Sequence, residues 1–158
     1  MALSRIRRFA ALSLPIALVL ATAAPMAAAA SKNNASIIMR IGSTSAQVGS
    51  DAVELEVAPV MTEEQVTLVP LRFVVDSLEG ELEWDPDIQL VTISHGGREI
   101  QLYIGKEVAY VDGNAVELDA APEIVDGVTM VPVRFVSENL GQRVEWLPDT
   151  NQIVLHPE

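Results

Sequence analysis

The chain repeats itself, and this limits its possible folds more than any other feature. Residues 66–93 read VTLVPLRFVVDSLEGELEWDPDIQLVTI and residues 128–155 read VTMVPVRFVSENLGQRVEWLPDTNQIVL, aligned without a gap at a shift of 62. Upstream, residues 37–59 align with residues 100–122 at a shift of 63, sharing Ile-Gly, an Ala-Val-Glu-Leu run and Ala-Pro. One residue is lost between the blocks, where Met61 to Gln65 faces Ile124 to Gly127. Close to half of the paired positions are identical. The fold must therefore be one supersecondary unit built twice.

Periodicity gives each unit its elements. Ile37 to Ile41 and Ile100 to Ile104 read as strands closed by glycine, with second strands at Val53 to Val57 and Val116 to Leu118. Pro70 and Pro132 mark helix starts, because proline is tolerated at the first helical position and keeps its predecessor extended. Leu71, Val74, Val75 and Leu78 then follow the stripe of a helix with one buried face; Val133, Val136 and Leu140 repeat it, interrupted by Ser137. Gly80 and Gly141 are the expected helix stops. Afterwards the period becomes two: Leu82 and Trp84, like Val144 and Trp146, alternate with polar residues. That predicts hairpins turning at Asp85-Pro86-Asp87 and Leu147-Pro148-Asp149, and it places both tryptophans on the core face. The expected class is α+β: two tandem repeats, 31–95 and 96–158, each a small twisted antiparallel sheet packed on one helix. The strand at Glu99 to Ile104 directly follows the first unit and can complete either sheet. Either every strand pairs within its own unit, or the two units share strands in one compact domain.

Residues 1–30 read as a cleavable signal peptide. Arg5, Arg7 and Arg8 precede an apolar stretch from Phe9 to Thr22, and Ala28-Ala29-Ala30 supplies small residues for cleavage after Ala30. Pro15 interrupts the apolar stretch and Pro25 follows it; the stretch falls short of the ~20 residues that span a bilayer, so no stable membrane insertion is expected after cleavage. The remaining chain carries 22 acidic against 7 basic residues, a formal net charge of −15. Nucleic acid and anionic lipid are poor partners for it, since phosphate binding needs clustered Lys and Arg. Cysteine is absent, which excludes disulfides and thiolate metal sites.

The paired Val-Pro-Leu-Arg-Phe-Val and Val-Pro-Val-Arg-Phe-Val, with Glu-Trp-Asp-Pro and Glu-Trp-Leu-Pro downstream, make the chain resemble the copper amine oxidase N-terminal-like, or stalk, domain family. The likeness runs from Ser36 to His156, and the repeat signature is Pro70, Arg72, Phe73, Trp84, Pro132, Arg134, Phe135 and Trp146. The first copy departs at Leu78-Glu79-Gly80, where the second has Leu140-Gly141. The resemblance implies a secreted Gram-positive bacterial protein and an appendage that carries neither copper nor quinone. Two histidines, His95 and His156, are too few for a three-histidine copper site, and neither Tyr103 nor Tyr110 sits in a quinone-forming sequence. No metal or other cofactor is expected; Asp85 with Asp87, or Asp112 with Asn114, offer at most adventitious calcium binding.

No residue is assigned to catalysis. Carboxylates are abundant, but none is accompanied by a nucleophile, a histidine or a glycine loop. Arg72 and Arg134 are expected to make structural ion pairs or carbonyl contacts, with Glu83 and Glu145 as acids in reach. The expected function is a non-catalytic extracellular module of the bacterial cell envelope, binding a wall polymer or an envelope protein. The alternatives are a filament subunit that self-associates by strand addition and, behind both, a hydrolase acting on a wall polymer.

Overall fold

The computed structural model describes residues 35–158, so the signal peptide lies outside the described residues. The architecture is α+β and dominated by strands. In chain order the elements are β1 (Ile37–Arg40), β2 (Ser45–Val48), β3 (Asp51–Glu54), β4 (Val60–Met61), β5 (Thr67–Pro70) and α1 (Leu71–Ser77). Then come β6 (Glu81–Asp85), β7 (Leu90–His95), β8 (Arg98–Tyr103), β9 (Val108–Val111) and β10 (Asn114–Glu117). The chain ends with β11 (Glu123–Val125), β12 (Val128–Pro132), α2 (Val133–Asn139), β13 (Gln142–Leu147) and β14 (Gln152–Pro157).

The strands form three antiparallel sheets, ordered β13-β14-β1-β2-β3, β10-β9-β8-β7-β6 and β11-β12-β5-β4. None of the three is made by one repeat alone. The hairpin β6–β7 of the first copy is completed by β8, β9 and β10 of the second. The hairpin β13–β14 of the second copy is completed by β1, β2 and β3 of the first. The strand at Glu99 to Ile104 thus belongs to the first copy's hairpin, and β1 fills the matching place in the second.

The third sheet explains the symmetry. Strands β5 and β12 pair antiparallel with Val69 opposite Val131, flanked by Pro70 opposite Met130 and Leu68 opposite Pro132. At a shift of 62, Val69 therefore faces its own counterpart. A local two-fold axis passes between them, and hydrogen bonds far from the axis repeat across it. Ile41 N–H donates to Asn151 O at 3.0 Å, and Ile104 N–H to Gln89 O at 3.0 Å. Gly49 N–H donates to Ser36 O at 2.9 Å, and Asp112 N–H to Glu99 O at 2.8 Å.

One difference between the halves is covalent. Strands β7 and β8 are joined by the two-residue turn Gly96-Gly97, both at positive φ (58° and 80°), as a hairpin with the twist of its strands requires. The equivalent pair β14–β1 has the same register, Leu155 opposite Ile37 and Ile153 opposite Met39, but no chain joins its ends. It is held by its ladder and by Ile37, Met39, Ile153 and Leu155, all buried.

Both helices are single seven-residue segments whose apolar stripes face the core, with Leu71, Val74, Val75 and Leu78 buried as the spacing predicts. Pro70 and Pro132 stand one place earlier than expected, as the last strand residue and helix N-cap. Each helix contacts the other repeat: α1 packs on β12 and α2 on β5. One buried cluster consequently runs through both copies, from Ile37 to Leu155. The first helix stop is also displaced by one residue. Glu79 takes the left-handed conformation (φ 57°) that Gly141 takes in the second copy (φ 73°), and Gly80 follows it.

The interruption at Ser137 has a measurable consequence. Its hydroxyl is buried on the core side of α2 without a hydrogen-bond partner, while its counterpart Val75 is fully buried and apolar. Ser137→Val removes an unsatisfied polar group and restores the side chain the matching site already accommodates. It is expected to stabilise the fold by ~1–3 kcal/mol, read as a higher urea midpoint at unchanged slope. A lower midpoint would mean that α2 has less room than α1.

Candidate functional site

The tryptophans are where the structure departs most from the sequence reading. Trp84 is 40% exposed and Trp146 38% exposed, so neither is a core residue. Alternation chose the correct side of the strand, since Trp84 shares the face of the part-buried Leu82 and lies opposite the buried Val91. What it could not show is the extent of the cover. A seven-residue helix is only about 10 Å long, and Trp84 lies three strand residues beyond Glu81, near the level where α1 begins. The indole is left partly exposed and lines a groove.

Two such grooves exist, and they are counterparts. The first has a volume of about 580 Å³; Trp146, Val144 and Ile153 meet Val133 and Arg134 of α2, and Met61, Val66 and Thr67 of the other copy close it. In the second, of about 200 Å³, Trp84, Leu82 and Val91 meet Leu71 and Arg72 of α1, closed by Ile124, Val128 and Thr129. Every residue of one named here maps onto the other at a shift of 62 or 63. Each groove also has an exposed acid on its wall, Asp119 in the first and Glu56 in the second. Each therefore straddles both repeats: the tryptophan and arginine come from one copy, the acid and the outer apolar wall from the other.

The grooves differ in size for a reason visible in the sequence. The extra residue of Met61 to Gln65, relative to Ile124 to Gly127, lengthens the turn between β4 and β5, and Glu64 and Gln65 of that turn extend the first groove. The Glu64 carboxyl is held below the ordinary carboxylate range by the backbone N–H of its own residue and then by the Thr62 hydroxyl. It faces the groove as an ionised hydrogen-bond acceptor.

The arginines also correct an expectation. Arg72 and Arg134 are exposed, and among the described residues neither forms an ion pair or a side-chain hydrogen bond. Glu145 is instead bonded to His156, Oε2 to Nε2 at 2.7 Å across the β13–β14 hairpin. The guanidinium donors of both arginines are free for another molecule. Phe73 and Phe135 remain structural, packed part-buried against the core beside them.

The other singled-out polar groups are occupied by the fold. Asp85 Oδ1 accepts the Asp87 N–H at 3.0 Å, capping the hairpin turn. Asp112 accepts the Glu99 N–H at 2.9 Å and pairs with Arg98 at 3.7 Å. Among the described residues no three His, Cys, Asp or Glu side chains are grouped to hold a metal ion, so these side chains do not fit a three-histidine copper site. No helix among them is long and apolar enough to cross a membrane. The sequence reading missed the groove walls Met61, Ile124, Glu56 and Asp119. The available signal was the repeat itself, which keeps an acid at 56 and 119 just ahead of the shared Ala-Pro.

Comparison with known proteins places these features. The chain is similar to a protein named "Protease inhibitor" from Brevibacillus choshinensis, with 30% identity over 91 residues. The match takes in 58% of this chain and 28% of that protein, so the chain spans little more than a quarter of its relative's length. A family model described as the copper amine oxidase N-terminal domain matches residues 61–155, through both helices, both arginines and both tryptophans. With its sequence signature lying inside that match, the chain belongs to the copper amine oxidase N-terminal domain family, a non-catalytic stalk-type domain.

Proposed function

We propose that the chain, after loss of residues 1–30, is a non-catalytic extracellular interaction module of the bacterial cell envelope, held at the wall by a polymer or an envelope protein. The observation that carries this reading is the pair of equivalent grooves, each with a partly exposed indole and an arginine that has no ion pair or side-chain hydrogen bond among the described residues. Exposed aromatic and arginine side chains are characteristic anchors of binding surfaces. The arginine-rich leader and the non-catalytic family support the same reading.

Retention on envelope material tests it. Residues 31–158 are expected to sediment with isolated cell envelopes, and Trp84→Ala with Trp146→Ala is expected to release most of the bound protein while leaving the circular dichroism spectrum unchanged. Wild-type protein that stays in the supernatant with every envelope fraction would remove the proposal. The relative's name, "Protease inhibitor", favours one kind of protein partner, a protease. Unchanged hydrolysis of a chromogenic substrate by secreted bacterial serine proteases, in the presence of excess chain, would exclude that form of the reading.

Self-association is a second reading, and it is favoured by the unlinked β14–β1 pair. A β1 that left its own β14 for that of a neighbour would rebuild the same ladder between two chains, giving head-to-tail assembly. Light scattering across a concentration series decides: a constant monomer mass removes it.

A further inference from the structure

We propose that the two grooves are subsites for a neutral polysaccharide, whose sugar rings stack on Trp146 and Trp84; this deepens the interaction-module reading and rests on it. A pyranose has an apolar C–H face and a rim of hydroxyls. An indole with one side open offers a flat apolar surface to the first. A planar guanidinium and a carboxylate offer fixed donors and acceptors to the second. Each groove brings these three groups together: Trp146, Arg134 and Asp119 in one, Trp84, Arg72 and Glu56 in the other.

Charge argues against a polyanionic ligand. In the second groove Arg72 is balanced by Glu56, and in the first Arg134 is outweighed by Glu64 and Asp119. The whole chain carries −12, so a polyanion is repelled from both. A polycation is not repelled by the chain as a whole; the arginine of each groove is the group that opposes it. The two-fold relation presents the same aromatic surface, guanidinium and carboxylate twice, so the two grooves take the same kind of sugar unit. The first groove, enlarged by the longer β4–β5 turn, is the stronger subsite.

The composition provides the assay. The chain has two tryptophans, one per groove, so emission excited at the red edge of the indole absorption, where Tyr103 and Tyr110 do not absorb, reports the subsites. Trp84→Phe leaves a probe of the first groove, and Trp146→Phe a probe of the second. Titration of residues 31–158 with chitohexaose or cellohexaose, both neutral, is expected to shift the emission saturably. The shift is expected to be tighter in Trp84→Phe than in Trp146→Phe, and weakened about tenfold by Arg134→Gln, the size expected for losing hydrogen bonds from a charged donor. Emission unmoved by both sugars overturns the proposal. So does a shift produced by a proline-rich peptide and by neither sugar, which would assign the grooves to peptide. A sugar response that Arg134→Gln leaves intact overturns the groove assignment. Envelope retention that is lost with both tryptophans would survive any of these results, so failure of the sugar does not remove the interaction module.

Discussion

Residues 31–158 shortened to begin at Gly42 are expected to lose their cooperative monomeric fold. The deletion removes β1, which pairs with β14 along four residues and also with β2. Ile37 and Met39 are fully buried, and truncating a single side chain of that kind to alanine already costs about 2–5 kcal/mol. Losing both, with the ladders on either side, removes an amount comparable to the whole stability of a domain, about 5–15 kcal/mol. It also bares Ile153 and Leu155 and separates β2–β3 from the rest of their sheet. Urea titration followed by circular dichroism checks this: a sigmoidal transition at the full-length midpoint would contradict it. A circular permutant supplies the complementary experiment. Joining Pro157 to Ala35 through Gly-Gly, and opening the chain at Gly96-Gly97, exchanges the unlinked strand pair for the linked one. Since the two pairs share one register, the permutant is expected to fold, with stability within about 1–2 kcal/mol of the parent, the difference expected from loop closure and terminal fraying.

Val131→Asp is expected to prevent folding outright. Val131 is fully buried in the middle of the shared core, and its cross-strand neighbour is the equally buried Val69. A carboxylate there has no cation within the cluster to pair with, and an isolated buried charge costs several kcal/mol even when its pKa shifts to neutralise it. The same substitution at Ile124, on the exposed groove wall, changes a residue that is 46% exposed and is expected to leave the urea midpoint nearly unchanged. Equal effects at the two positions would show that the core does not pass through the β5–β12 pair. Val69→Asp is expected to behave like Val131→Asp, because the two residues are symmetry counterparts.

The local elements were legible because their signals are local. The apolar stripe of Leu71, Val74, Val75 and Leu78 and the alternation in both hairpins describe helices and strands without reference to any partner. Strand exchange left one local signal, the Gly96-Gly97 pair between two strand runs, which favours a hairpin and hence the backward pairing of Arg98 to Tyr103; the pairing of β1 with β14 has none, because no turn joins them. Strand β2 was missed because it is four residues long with Ser45 and Gln47 beside its buried Ala46 and Val48, and β9, Val108 to Val111, because it buries only Ala109 and its run of apolar residues shows no alternation. For the site, alternation placed Trp84 and Trp146 on a face but could not measure the helix above them. The duplicated arginines suggested a structural ion pair because acids lay near in sequence. His156 holds one of those acids, Glu145, and the groove that opens around each arginine is walled by the other copy.

The unlinked closure also sets an order of events. The first strand of the described chain waits for the last one, and β14 is the final element before Glu158. When a polypeptide emerges N-terminus first from a ribosome or an export channel, β1, β2 and β3 are exposed early with no neighbour to receive them. The β6–β10 sheet can assemble once residue 117 has appeared, while its symmetric twin stays open for forty more residues. Two halves that are equivalent in space are thus unequal in time, and the completed molecule is available only to a chain that has been delivered whole.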